Sequence, residues 1–285
     1  MPIPADLPPA GSALRDDPQV ATDSPGLLRV LPAAGVAASA FLLFAMMVGW
    51  PGHLVLLVSL AAAYRVDREL FKDLLLIGVG ISIVSTTSVE ADISWPMFFR
   101  LGVVLGAAVV VPVGIDRLVY RRAAIRFPWF TGRRWTRLQW AYVVAVPLLG
   151  WLVLPFYFIR SGAYLNWPPI QTASEFGRFF VGVNSVGLWD ELFFICICFA
   201  LLRRHFTLWQ ANMLQATIFV SFLWELGYRS WGPLLTIPFV LLQGYIFTKT
   251  KSLTYVVIIH LLFDAVVFFA IVHAHDPSIF PYFIY

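Results

Sequence analysis

From residue 31 to residue 272 the chain alternates long apolar runs with short polar breaks, and this pattern fixes the solvent it folds in. A helix crosses a bilayer with about 20 predominantly apolar residues, range roughly 17–25. The runs 31–50, 70–88, 96–120, 138–159, 179–202, 208–226, 231–247 and 253–272 reach that length. The run 52–64 is shorter, and Pro51-Gly52 before it sets either a tight hairpin or a kink. Backbone polar groups in lipid must be satisfied within the segment, so the runs are expected to be helices. Only 13% of the 285 residues are charged; average soluble chains carry roughly 25% and need them to cover their surface. The expected fold is therefore all-α: a polytopic transmembrane bundle of eight or nine helices. Residues 1–28 are rich in Pro, Ala, Asp and Ser and lack the apolar core of a signal peptide. They are expected to form a disordered tail on one side of the membrane or the other, and residues 29–285 a single transmembrane domain.

Orientation follows from arginine and lysine, which accumulate on the cytoplasmic side. The segment 117–137 holds Arg117, Arg121, Arg122, Arg126, Arg133, Arg134 and Arg137, so it is expected to be cytoplasmic. Alternation then puts Arg65, Arg68, Lys72, Arg203, Arg204, Lys249 and Lys251 on the same side. Glu90, Asp92 and the stretch around Asn166 and Trp167 fall outside, with Arg160, Arg178 and Arg229 as exceptions. The basic residues form short clusters between apolar runs rather than a stripe, which excludes nucleic acid as a partner. The two cysteines, Cys196 and Cys198, point to different faces of a helix and read as apolar filler.

Ionisable residues within a span are costly and mark function or a bundle staple. Here they concentrate in the last third of the chain. Asp190 and Glu191 are adjacent in the middle of a run. A carboxyl that can exchange a proton is what general acid–base chemistry needs; the bland reading is a pair that hydrogen-bonds helices together. His260 and Asp264 are four apart and share a helix face. That pair can stabilise an oxyanion, contribute to a metal site, or staple the bundle. Glu225 and Arg229 have the same spacing and read first as an ion pair near the outer end of a span. Gln215 and Gln243 read as interhelical hydrogen-bonders, and His273 and His275 as solvated residues at a helix end. No His-Glu-x-x-His and no cysteine cluster is present, so no cofactor is expected, and a divalent metal stays open.

In this order, these residues resemble the CPBP family of intramembrane endopeptidases, the CAAX-prenyl-protease and bacteriocin-processing or Abi family. Its signature lies on three helices: Glu-Glu-x-x-x-Arg, Phe-x-x-x-His and His-x-x-x-Asp/Asn. The resemblance covers about residues 180–270. The third part is matched by His260 and Asp264. The first is matched by Asp190-Glu191, with Ile195 at the Arg position. For the second, Phe219 is followed four residues on by Leu223, not His; Glu225 takes that place only if the register slips to Ser221.

The resemblance implies a polar cavity among the last helices, in which a carboxylate of the first part and the histidine of the second activate a water that attacks a peptide carbonyl, and the third part stabilises the oxyanion. Carried over, Glu191 and Asp190 are the base candidates, His260 and Asp264 the oxyanion donors or base helpers, and Glu225 a stand-in for the missing His. The implied function is an intramembrane peptidase acting on a membrane-anchored or lipidated protein, with the bilayer itself as the other partner. A noncatalytic scaffold, immunity or regulatory relative is the alternative favoured by the two missing motif residues. A proton-coupled transporter is the third reading, with no inverted repeat to support it. High Ala and Arg usage suggests a bacterial plasma membrane.

Overall fold

In the computed structural model, residues 26–132 and 134–283 are described, and they form nine helices with no strand among them. The expected tail at 1–28 lies, up to residue 25, outside the described residues. Helix α1 runs from Leu27 to Ala40 and continues as a π-helical turn, Phe41–Ala45. The chain then reverses over residues 46–48, with Met47 at φ 54, and α2 spans Gly49–Val66. The hairpin therefore precedes Pro51-Gly52 rather than forming at it. Pro51 sits in the first turn of α2, where its missing N–H costs no intrahelical bond. That makes the short run 52–64 a full helix, and nine the number among the described residues.

Local chemistry sets the other boundaries. Asp67 alone separates α2 from α3 (Arg68–Val84), and its Oδ1 accepts the backbone N–H of Glu69 at 2.8 Å and of Leu70 at 3.2 Å. Helix α4 (Trp95–Gly114, then π-helical Ile115–Val119) starts with Pro96 in its first turn. Reciprocal capping boxes, Thr136 with Gln139 and Thr172 with Glu175, open α5 (Arg137–Ser161) and α6. Helix α6 begins as Ala173–Asp190 and continues through the π-helical stretch Glu191–Phe199 to Ala200–Leu202. Helices α7 (Leu208–Leu226), α8 (Pro233–Thr250) and α9 (Leu253–His275) complete the bundle. The start of α6 lies six residues before the apolar run at 179, because the capping box recruits polar residues into its first turns.

Five of the nine are long and apolar enough to cross a membrane by length and composition: Leu27–Ala45, Trp95–Val119, Arg137–Ser161, Ala173–Leu202 and Leu253–His275. The chain is an integral membrane protein. Its centre is α6, 72% buried over its apolar window, whereas α4 is only 17% buried and lies at the periphery. Around α6 the pairs α1–α2, α3–α4, α5–α9 and α7–α8 pack side by side.

Charges sort to the two ends of this bundle. At one end Asp73, 1% exposed, meets Arg122, Arg204 and His205, the last two at 2.7 Å. Arg122 also reaches Asp116 at 2.7 Å and Glu69 at 3.1 Å. At the other end the arginine exceptions have partners of their own. Arg229 pairs with Glu90 at 2.6 Å, and Arg178 donates to Ile93 O at 2.6 Å and lies over the Trp95 ring. The acidic-end histidines are not solvated as expected: His273 is 4% exposed with Nδ1 2.7 Å from Phe280 O, and His275 Nε2 is 2.9 Å from Trp167 O. The residues after α9 fold back over the helix end and supply Phe280, while Trp167 comes from the α5–α6 connection. By the positive-inside rule the Asp73 end is expected to face the cytoplasm. A phosphatase reporter that works only outside the cell is then expected to be active when inserted at residues 164–166 and inactive at 203–205; the reverse pattern would invert the topology.

Candidate functional site

The polar residues of the last third of the chain are brought together by three helices, α6, α8 and α9. On α6, successive side chains diverge by about 100°, so Asp190 and Glu191 approach His260 from different sides. Glu191, fully buried, turns inward: its Oε1 lies 2.7 Å from His260 Nδ1 on α9 and accepts from Gln243 Nε2 on α8 at 2.7 Å. Asp190 turns the other way and lines a cavity of about 290 Å³. The π-helical stretch begins at Glu191; such stretches are frequent at functional sites because they re-aim side chains locally.

His260 joins the two halves. With Nδ1 on a carboxylate, the imidazole carries its proton there and its orientation is fixed, leaving Nε2 toward the cavity. Nε2 lies 3.8 Å from both Asp190 Oδ2 and Asp264 Oδ1. Those distances are too long for direct hydrogen bonds and suit a bridging water or substrate oxygen. Asp190 Oδ1 and Asp264 Oδ2 are buried without a protein partner. The approach of α9 to α6 depends on Gly187, where a methyl group would overlap the Asp264 carboxylate. Phe239 meets His260 edge-on, with ring centroids 5.2 Å apart, and excludes solvent from that side.

The cavity runs between α4 and α6 toward the acidic end. Its walls are apolar, with Phe98, Leu105, Val183 and Val186 among them, and Gly102 and Gly182 keep it open. Arg178 and Asp92 stand at the end away from Asp190. A second, much smaller void of about 20 Å³ lies toward α5 and α8, lined by Thr236, Phe239, Leu235 and others.

Four of the five expected site residues, Asp190, Glu191, His260 and Asp264, therefore meet. Glu225 does not join them. Its Oε1 takes the Val89 N–H at 3.2 Å and the Ser88 hydroxyl at 3.4 Å, tying α7 to the α3–α4 loop. The expected Glu225–Arg229 pair is also absent, because Gly227, at φ 132, ends α7 before the second residue. The register slip is overturned too: Leu223 lines the cavity, while Ser221 bonds back to Thr217 O within its own helix. Phe219, stacked on Phe194 with centroids 4.1 Å apart, holds α7 in that register. Gln243, expected only as a generic helix linker, proves to be a direct partner of Glu191, whereas Gln215 is the linker it was expected to be, bonded to Asn212 and Val240 O. Among the described residues, no three His, Cys, Asp or Glu side chains are grouped to hold a metal ion.

Residues 172–266 match the family model described as type II CAAX prenyl endopeptidase Rce1-like. No curated protein and no solved structure gives a significant match. The segment that carries every motif residue is thus similar to the CPBP family, on the Rce1-like model.

Proposed function

We propose that this protein is an intramembrane peptidase that hydrolyses a membrane-anchored or lipidated protein, in a bacterial plasma membrane. The observation that carries the reading is the Glu191–His260 contact, which locks the imidazole with Nε2 facing a cavity shared with two partner-less carboxylates. In this reading Asp190, on the cavity wall, takes a proton from the attacking water. His260 helps that base by accepting from the same water through Nε2, Asp264, carrying a proton, donates to the carbonyl oxygen as it becomes negative, and Glu191 is the positioning residue behind His260. The attack forms a C–O bond; collapse breaks the C–N bond, and the proton held by Asp190 passes to the departing amine. The gap between α4 and α6, kept open by Gly102 and Gly182, admits the substrate laterally from lipid.

Leu223 favours a second reading, a noncatalytic relative that binds and regulates another membrane protein, since it stands on the cavity wall where the family has a histidine. The two are separated by comparing protein termini in membrane and secreted fractions with and without His260→Ala, at equal protein level. The peptidase reading expects at least one processed terminus to vanish. Identical termini in the two strains, together with a phenotype on gene deletion, would establish the regulator instead.

A further inference from the structure

The main cavity and the small void behind it share four lining residues: Leu223, Tyr228, His260 and Asp264. Three of these stand at positions of the family signature. Tyr228 does not, and nothing in the spacing of the motifs points to it. Its place is set by the end of α7. The N–H of Gly227 bonds Leu223 O and Trp224 O, and the N–H of Tyr228 bonds Leu223 O at 2.9 Å. This is the pattern of a helix closed by a glycine in a conformation that other residues avoid. Gly227 O is held in turn by Asn166 Nδ2 at 2.9 Å. The reversal sends Tyr228 back over the site, its ring clamped by Trp167 and Phe158 with centroids 5.4 and 5.9 Å away.

Tyr228 is half-buried and lines the cavity, so its hydroxyl is free to serve what the cavity holds. Among the described residues the Tyr228 hydroxyl makes no hydrogen bond, although its neighbour in the same aromatic cluster, Tyr157, donates to Arg229 O at 2.8 Å. A phenol is also the donor that a site lacking one imidazole requires: it gives one hydrogen bond and carries no charge among three carboxylates.

We propose that Tyr228 is a catalytic residue, donating its O–H to the scissile carbonyl oxygen from the wall it shares with Leu223. This inference rests on the peptidase reading. As water attacks and Asp190 takes its proton, the carbonyl oxygen gains negative charge and is held by the Tyr228 O–H beside Asp264. The phenol keeps its proton throughout, and the oxyanion loses its charge when the C–N bond breaks.

The test follows accumulation of processed termini after induction of the full chain in its native membrane, for wild type, Asp190→Asn, Tyr228→Phe and Tyr228→Phe with Leu223→His. The unfolding midpoint of each protein is measured in detergent. Tyr228→Phe keeps the ring and its clamp, and is expected to slow processing about 10²–10³-fold, as loss of one oxyanion donor does, with the midpoint unchanged. The added Leu223→His is expected to recover part of the rate by returning a donor to the same wall. Processing at the wild-type rate in Tyr228→Phe, with Asp190→Asn inactive, overturns the role of Tyr228 and leaves the peptidase reading standing. A slowed Tyr228→Phe whose midpoint falls and whose rate Leu223→His does not lift overturns it as well, in favour of packing. Termini that persist both in Asp190→Asn and in His260→Ala remove both proposals.

Discussion

Asp190→Asn is expected to reduce processing by about 10²–10⁴-fold, the range lost with a general base, whereas Glu191→Gln costs about 10–100-fold, as for a carboxylate that orients a working histidine. The two residues are neighbours in the chain and chemically alike, so only geometry separates them. Asp190 lines the cavity with an oxygen free of protein partners. Glu191 Oε1 is already occupied by His260 and Gln243 at 2.7 Å each. Asparagine preserves the shape of Asp190 and removes its capacity to take a proton. Glutamine at 191 retains an acceptor that Gln243 still holds in place, so the imidazole keeps its tautomer and loses only the charge behind it. The readout is the initial rate at which the processed terminus appears, at matched protein level. A larger loss in Glu191→Gln than in Asp190→Asn would reverse the assignment and make the inner carboxylate the base.

Sequence alone reached the architecture and most of the site for one reason: charge in lipid is expensive, so the residues that break the apolar pattern are few. Asp190, Glu191, His260 and Asp264 stood out on that ground. Helix ends were less legible, because a capping box such as that of Thr172 and Glu175 draws polar residues into a membrane helix that hydropathy alone begins later. Glu225 was misread because an i,i+4 spacing implies a pair only where the helix continues, and Gly227 ends it. Gln243 and Tyr228 carry no signal of their own. A glutamine in an apolar helix is satisfied by many ordinary neighbours, and a tyrosine in an aromatic-rich chain is inconspicuous until the fold places its hydroxyl. Asp73 and Asp116 were hidden by the arginines around them, which read as topology signals.

Those two aspartates lead to the second large effect. Asp73→Ala is expected to destabilise the bundle by about 3–5 kcal/mol, the cost of leaving buried opposite charge uncompensated. Asp73 is 1% exposed and meets Arg122, Arg204 and His205. Removing it leaves two guanidinium groups and an imidazole facing one another across α3, the end of α4 and the α6–α7 turn. An isolated surface pair would contribute about 0–1 kcal/mol; here one carboxylate joins three segments, and Arg122 carries the link on to Asp116 at 2.7 Å. The expected fall in unfolding midpoint in detergent is on the order of 10 °C. The exposed pair of Lys72 with Glu69, 2.5 Å apart and half open to solvent, supplies the control: Lys72→Ala, which leaves Glu69 on Arg122, should shift the midpoint far less. Equal shifts for the two would mean that the Asp73 network is no stronger than a surface pair. A large shift for Asp73→Ala, with processing retained at low temperature, would separate the two ends of the molecule. The basic end would then hold α3, α4 and α6 in register, and the cavity at the other end would carry the chemistry.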